Sequence, residues 1–394
     1  ERLLCLFPPA LFNPKDNLPW RAEERSLPKF PGRPLPHNLP EGRVTYLCSM
    51  PPKTPKPVLY NQYDRETLMQ RLADESFARR TVSFYRYVRL EDPQAVRDQL
   101  FLQWDAHQCF GRIYVATEGI NAQMSVPEHH WEAFVQELYA WEAFRDVPFK
   151  IAVEDDGKSF FKLTVKVRAQ IVADGLTMED YDVTNVGRHL NAAEWNALME
   201  TGEAIVVDMR NYYESEIGHF EGALLPQAET FREELPEVLQ MLEGQEDKPV
   251  LLYCTGGIRC EKTSAYLKHH GFQNVNQLHG GIIDYARQIQ EAQLPNKFKG
   301  KNFVFDERLG EHISDDVIAH CHQCGEPADV HVNCANKACN LLFIQCSACQ
   351  STHEGTCSPE CQAIIHLPED EQAKIRKEHA AQTRAKRFHR AKTS

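Results

Sequence analysis

The sequence predicts a multidomain chain in which an α+β domain is followed by an α/β domain with a parallel sheet and then by a cysteine-rich region. Three observations carry this expectation. Between about 56 and 175 the pattern runs strand, helix, two strands, helix, strands; from about 186 to 296 short β-branched runs alternate with helical stretches; and eight of the 13 cysteines fall between Cys321 and Cys361. The 394 residues are 42% hydrophobic and 25% charged, ordinary globular values, and the length suffices for about two or three cores.

The same composition excludes other classes. No apolar run approaches the roughly 18 residues that a membrane helix needs. The apolar patch from Leu3 to Phe12 is broken by Pro8 and Pro9 and lacks a basic start or a small-residue cleavage site. The cysteines therefore read as thiols, metal ligands or catalytic groups of a cytoplasmic protein, not as a disulfide framework. A formal net charge of −12 argues against nonspecific binding of DNA or RNA by the body of the chain. Residues 370–394, however, hold eight Lys/Arg against three Asp/Glu, so this end is +5 and the remainder −17.

Thirteen of the 23 prolines lie before residue 58, so residues 1–55 read as a Pro-rich, disordered extension, and translation is expected to start at Met50. In the 56–175 domain the expected elements are strand Thr81–Arg89, helix Asp92–His107, strands Gly111–Val115 and Ile120–Val126, helix Pro127–Phe144, and strands Phe149–Val153 and Phe160–Val167. Pro93 and Pro127 suit the first turn of a helix. An α+β sandwich of the ferredoxin-like kind accounts for this order. In the 186–296 domain, strands Ala204–Asp208, Val250–Tyr253 and Val275–Leu278 and helices Glu261–His270 and Ile283–Ala292 imply a parallel sheet covered on both faces. Residues 300–365 form the cysteine-rich region and 366–394 the basic tail.

Val250–Tyr253 runs into Cys254-Thr255-Gly256-Gly257-Ile258-Arg259 and then a helix. A cysteine placed there faces unpaired N–H groups and the positive end of the helix dipole, which favours thiolate. Gly256 and Gly257 let the backbone curl around the sulfur, and Arg259 adds fixed positive charge. Four residues separate Cys254 from Arg259, a tighter ring than the loops of cysteine phosphatases. The bland reading of Cys254, an inert buried thiol, leaves the glycines and arginine without a role. Cys260 is open to two readings, a resolving thiol or packing.

With Asp208-Met-Arg210, Glu214 and Gly218-His219-Phe220-Glu221-Gly222-Ala223 upstream, residues 190–292 resemble the rhodanese family. The resemblance implies that Cys254 is the nucleophile, that Thr255 to Arg259 form its cradle, and that Asp208, Arg210 and His219 support the fold and the loop. Further stretches, Glu118-Gly-Ile-Asn-Ala-Gln123, Asp156-Gly-Lys-Ser-Phe160, Gly300-Lys-Asn-Phe-Val-Phe-Asp-Glu-Arg308 and Ala319-His-Cys-His-Gln-Cys324, extend it. Over residues 56–365 the chain resembles the bacterial rhodanese-domain tRNA uridine-34 hydroxylases. That implies a cytoplasmic oxidoreductase with O2 as co-substrate, which converts the wobble uridine of tRNA to 5-hydroxyuridine.

The residues offer matching chemistry. Arg376-Lys377, Arg384, Lys386-Arg387, Arg390 and Lys392 form an electrostatic arm for tRNA or, alternatively, a solvated tail. Tyr85 and Tyr87 share one strand face and either stack on bases or pack in the core. Addition of the Cys254 thiolate to C6 of uracil would make C5 electron-rich, with Arg259 and loop amides holding the thiolate or the enolate oxygen. Two other functions stay open: a sulfurtransferase carrying persulfide sulfur on Cys254, and a noncatalytic RNA-binding or regulatory scaffold.

The pairs Cys321/Cys324, Cys334/Cys339, Cys346/Cys349 and Cys357/Cys361 suit two tetrahedral, structural zinc ions, since each short loop supplies two thiolates. Spacing does not give the pairing. His320, His322, His331 or His353 could replace a cysteine, and an iron–sulfur cluster or disulfides are the alternatives.

Overall fold

A computed structural model describes residues 58–176 and 181–382. Helix α1 (Arg65–Ala73) leads into β1 (Arg79–Tyr87), α2 (Pro93–Ala106), β2 (Phe110–Ala116), β3 (Gly119–Pro127), α3 (Trp131–Ala140), β4 (Lys150–Ile151) and β5 (Leu163–Val167). Sheet order is β4-β1-β3-β2-β5, antiparallel except for the parallel β2/β5 pair. The first four strands have the ferredoxin-like arrangement and β5 extends its edge. Asp92 caps α2, its side chain accepting from the Ala95 N–H, with Pro93 in the first turn.

Two expectations shift here. Helix α1 is additional, and Pro127 does not start a helix. Pro127 is extended (ψ 134°) and lies opposite Arg79 in the ladder, so a 3₁₀ turn over Glu128–His130 intervenes before α3. The strands split their side chains cleanly by parity. Val82, Phe84, Ile113, Val115, Ile120, Ala122 and Met124 face the helices and form one core. Ser83, Tyr85, Arg112, Tyr114, Asn121 and Gln123 point to the opposite side, where they line a cavity.

The next segment contains β6 (Arg188–Leu190), α4 (Ala192–Glu200), β7 (Ile205–Asp208), α5 (Tyr212–Ser215), β8 (Gly218–Phe220), α6 (Phe231–Met241), β9 (Val250–Tyr253), α7 (Ile258–His269), β10 (Val275–Leu278) and α8 (Gly281–Ala292). Strands order as β6-β10-β9-β7 and all pairs are parallel. Each face packs a separate apolar cluster, one centred on Leu252 and Val250, the other on Leu251 and Tyr253, so β9 is buried throughout. Helix α7 begins at Ile258, three residues before the sequence expectation, which places Arg259 in its first turn.

Strand β8 pairs with β11 (Phe298–Asn302), which also pairs with β12 (Glu311–His312). Beyond these come β13 (His331–Asn333), β14 (Leu342–Ile344), α9 (Ser347–Thr352), α10 (Pro359–Ile365) and α11 (Glu369–Gln382).

A buried ionic clasp joins the first sheet to the α/β segment. Lys262 Nζ on α7 lies 3.1 Å from Glu118 Oε2 and 2.9 Å from Asp174 Oδ2, and donates to the Val172 carbonyl. The other Glu118 oxygen accepts the Ile171 N–H at 2.7 Å. Lys262→Met would leave two buried carboxylates without a counter-charge, at a cost of about 3–5 kcal/mol. Thermal unfolding of the full chain should show a drop of several degrees; an unchanged midpoint would mean that the clasp contributes little.

Candidate active site

Cys254 leaves β9 fully buried and meets the amino end of α7. Gly257 adopts φ +95°, which suits glycine, and its N–H donates to Cys254 Sγ at 3.1 Å. The loop's carbonyls are tied down from below by α8. Ile282 N–H donates to the Cys254 carbonyl at 3.0 Å and Ile283 N–H to the Thr255 carbonyl at 3.2 Å. Gly281, with φ +68°, permits this contact, because a Cβ there would stand 2.5 Å from the Cys254 carbonyl oxygen. Burial opposes ionisation of Cys254. The Cys260 thiol, the Arg259 guanidinium and the N–H groups of Arg259 and Cys260 outweigh it and bring the Cys254 pKa down to about 5. Cys260 is itself pushed well above the usual thiol range, by burial and by its bond to Cys254. It therefore keeps its proton and serves as a donor to the neighbouring sulfur.

Arg259 is not a free cation at the mouth of the loop. Its two Nη atoms bind Glu214 bidentately at 2.6 and 2.9 Å, with the Glu214 side chain 0% exposed. Deeper still, Arg210 pairs with Asp208 through Nε at 2.8 Å and Nη2 at 2.6 Å. Asp208 also accepts the Tyr253 hydroxyl at 2.7 Å, and Arg210 donates to the Gly218 carbonyl. Both ions are 0% exposed, so they connect β7, β8 and β9 without reaching the cavity. His219 is tied through Nδ1 to the Ser215 carbonyl at 2.9 Å and is absent from the cavity lining.

The cavity, about 530 Å³, lies between the open face of the first sheet and the Cys254 loop. One wall carries Tyr85, Tyr114, Asn121, Gln123 and Lys150, another Cys254, Thr255, Gly256 and Arg259, and a third Phe305, Asp306, Arg308 and Glu311. Tyr85 and Tyr87 are neither solvent-facing platforms nor core. Tyr85 donates to Glu261 Oε1 at 3.0 Å and Tyr87 to the Ile258 carbonyl at 3.3 Å, so both brace the sheet against α7. Asn121 donates to the Ile171 carbonyl and accepts from Gln123 Nε2 at 2.8 Å. Sequence reasoning singled out the stretches 118–123 and 300–308 without seeing that they meet here. Lys150 and Glu311 carried no local signal at all.

Three family models match in succession: a UPF0176 acylphosphatase like domain over residues 79–171, a rhodanese-like domain over 191–288 and a rhodanase C-terminal region over 299–362. A tRNA uridine(34) hydroxylase of Leptospira interrogans is 57% identical, across 82% of this chain and 89% of the relative. The chain belongs to the tRNA uridine(34) hydroxylase family. Proteins of the same name from Escherichia fergusonii and Erwinia tasmaniensis are 51% and 54% identical, covering 81% and 80% of this chain and 92% and 91% of theirs.

In this family member the eight C-terminal cysteines fall into two interleaved sets, Cys321, Cys324, Cys346 and Cys349 in one and Cys334, Cys339, Cys357 and Cys361 in the other. Sulfurs within each set lie within 4.8 Å of one another. None of the four candidate histidines belongs to either set among the described residues: His322 Nε2 is 2.7 Å from Glu216 Oε1 and His331 is buried against Phe303. Arg384, Lys386, Arg387 and Arg390, and the extension before residue 58, lie outside the described residues. Arg376, on α11, pairs with Glu369 at 2.5 Å. No described helix is long and apolar enough to cross a membrane.

Proposed function

We propose that this chain hydroxylates C5 of uridine 34 in tRNA, with Cys254 as the nucleophile. The observation that carries the reading is a cysteine sulfur that accepts the Gly257 N–H at the amino end of α7, its pKa drawn down to about 5, on the wall of a cavity of about 530 Å³, in a chain that matches named uridine(34) hydroxylases over most of its length. The anticodon base, splayed from its stack, enters beside the loop. The sulfur adds to C6: the S–C6 bond forms, the C5=C6 π pair moves to C4=C5, and O4 takes up the negative charge. C5 then meets O2. One oxygen atom remains on C5 as hydroxyl and the other leaves as water, with two electrons and two protons from an external reductant. Loss of the C5 proton and of the thiolate restores the ring. Asp208, Arg210 and His219 hold the scaffold, and the basic tail supplies phosphate contacts.

Nucleoside analysis of tRNA from cells lacking the protein tests this, since the uridine bearing one extra oxygen should disappear. Thiosulfate-to-cyanide transfer without any change in tRNA would instead favour a sulfur carrier.

The two cysteine sets fit structural zinc. Cys324 and Cys346 sulfurs stand 3.7 Å apart and those of Cys339 and Cys357 3.6 Å, close to the edge of about 3.8 Å for a tetrahedron with metal–sulfur bonds of about 2.3 Å. The ions would tie together a region with only small apolar clusters. Metal analysis of the purified chain should give two zinc equivalents, one for each set. Their removal by a strong chelator should unfold residues 319–365; a metal-free chain with unchanged thermal stability would refute the assignment.

A further inference from the structure

Attack at C6 loads charge onto O4, and something must receive it. Resting on the proposed hydroxylation, we infer that Lys150 is a catalytic residue whose ammonium donates to uracil O4 as the Cys254–C6 bond forms. Arg259 and the loop amides are the obvious donors from sequence, but the geometry commits the Arg259 side chain and the amides of Gly257, Arg259 and Cys260 elsewhere. Arg259 spends both Nη atoms on Glu214, and the Gly257 N–H points at the sulfur. Arg308, another cation on the cavity wall, is bound to Asp306 and Glu311, and Arg112 is exposed.

Lys150 is different. It sits in the two-residue strand β4, paired across the ladder with Ser83, so its side chain emerges on the cavity face of the sheet. It is only 5% exposed. Among the described residues no carboxylate lies within ion-pair distance of it and its Nζ has no hydrogen-bond acceptor. Its nearest support is the face of Tyr85, whose ring centroid is 4.4 Å from Nζ. Its stem passes the loop, since a Cβ built on Gly256 would lie 3.7 Å from Lys150 Cδ. An ammonium at the end of a largely buried side chain, facing the cavity with no fixed partner, is placed to be completed by an incoming group. An enolate oxygen is such a group.

The surroundings tune the ammonium to this task. Burial lowers its pKa to about 8, opposed by the negative charges of Asp284 from α8, Cys254 from the loop and Glu261 from α7. Electron flow in the step is closed: the sulfur lone pair becomes the S–C6 bond, the π pair ends on O4, and the Lys150 N–H is donated to that oxygen and returned when sulfur departs. No external oxidant or reductant enters.

The test uses the full chain and tRNA carrying 5-fluorouridine at position 34, which traps the C6 adduct. Lys150→Met should bind this tRNA within a few-fold of the parent yet form the adduct about 10²–10³-fold more slowly. In the parent, the adduct rate should rise through about pH 5 as Cys254 ionises and fall beyond about pH 8 as Lys150 loses its proton. Lys150→Arg, charged throughout, should abolish the alkaline fall; this profile decides the matter should the methionine variant not fold. An undiminished adduct rate in Lys150→Met, a loss confined to tRNA affinity, or an alkaline limb that survives in Lys150→Arg would each overturn the inference. If the parent itself forms no adduct that depends on Cys254, the C6-attack reading fails instead.

Discussion

Serine at position 254 is expected to lower formation of 5-hydroxyuridine by at least about 10⁴-fold while leaving tRNA binding intact. The loop lowers the thiol pKa to about 5, but the same donors cannot ionise a hydroxyl near neutral pH. Serine is also close in size, so the surrounding core around Val207, Leu252 and Cys260 has little reason to rearrange. Two measurements check the argument: product analysis after incubation with unmodified tRNA, and the pH dependence of Cys254 alkylation with the serine variant as control. A serine variant that turns over normally, or an alkylation midpoint near that of an ordinary thiol, would remove the chemical basis of the site.

The second large effect should come from Glu214→Ala. Arg259 would keep its charge with its side chain 10% exposed and lose both short bonds to carboxylate. Leaving such a cation unpaired costs about 3–5 kcal/mol, and α7 would be loosened at the turn that faces the sulfur. Stability and activity should fall together. Glu214→Gln retains hydrogen bonding and should lose less of both, an order that thermal unfolding and single-turnover assays can establish. An alanine variant as stable as the parent would show that solvent replaces the carboxylate readily.

Strands β7, β9 and β10 were legible because short β-branched runs bounded by polar residues have few other solutions. Helices α4 and α6 were missed, although Asn191 with Glu194 forms a capping box and Thr230 accepts from the Glu233 N–H. Cys254 was legible because strand, glycines and helix are local to it. Lys150 and Glu311 were not, since they acquire meaning only when the open sheet face meets the loop, and nothing in their neighbours encodes that approach. Glu214 was visible as part of a motif, but its partnership with Arg259 spans 45 residues.

The order of the cysteine sets constrains how the protein is made. During synthesis Cys321, Cys324, Cys334 and Cys339 leave the ribosome first, yet they belong to different sets. Neither quartet is complete until Cys349 and then Cys361 have emerged. A metal ion captured early by the first four thiols would join the wrong partners and would have to be handed over before the native weave could close. With the proposed zinc ions, maturation of this region would depend on the pace of translation and on the supply of metal in a way that two consecutive, self-contained knuckles would not.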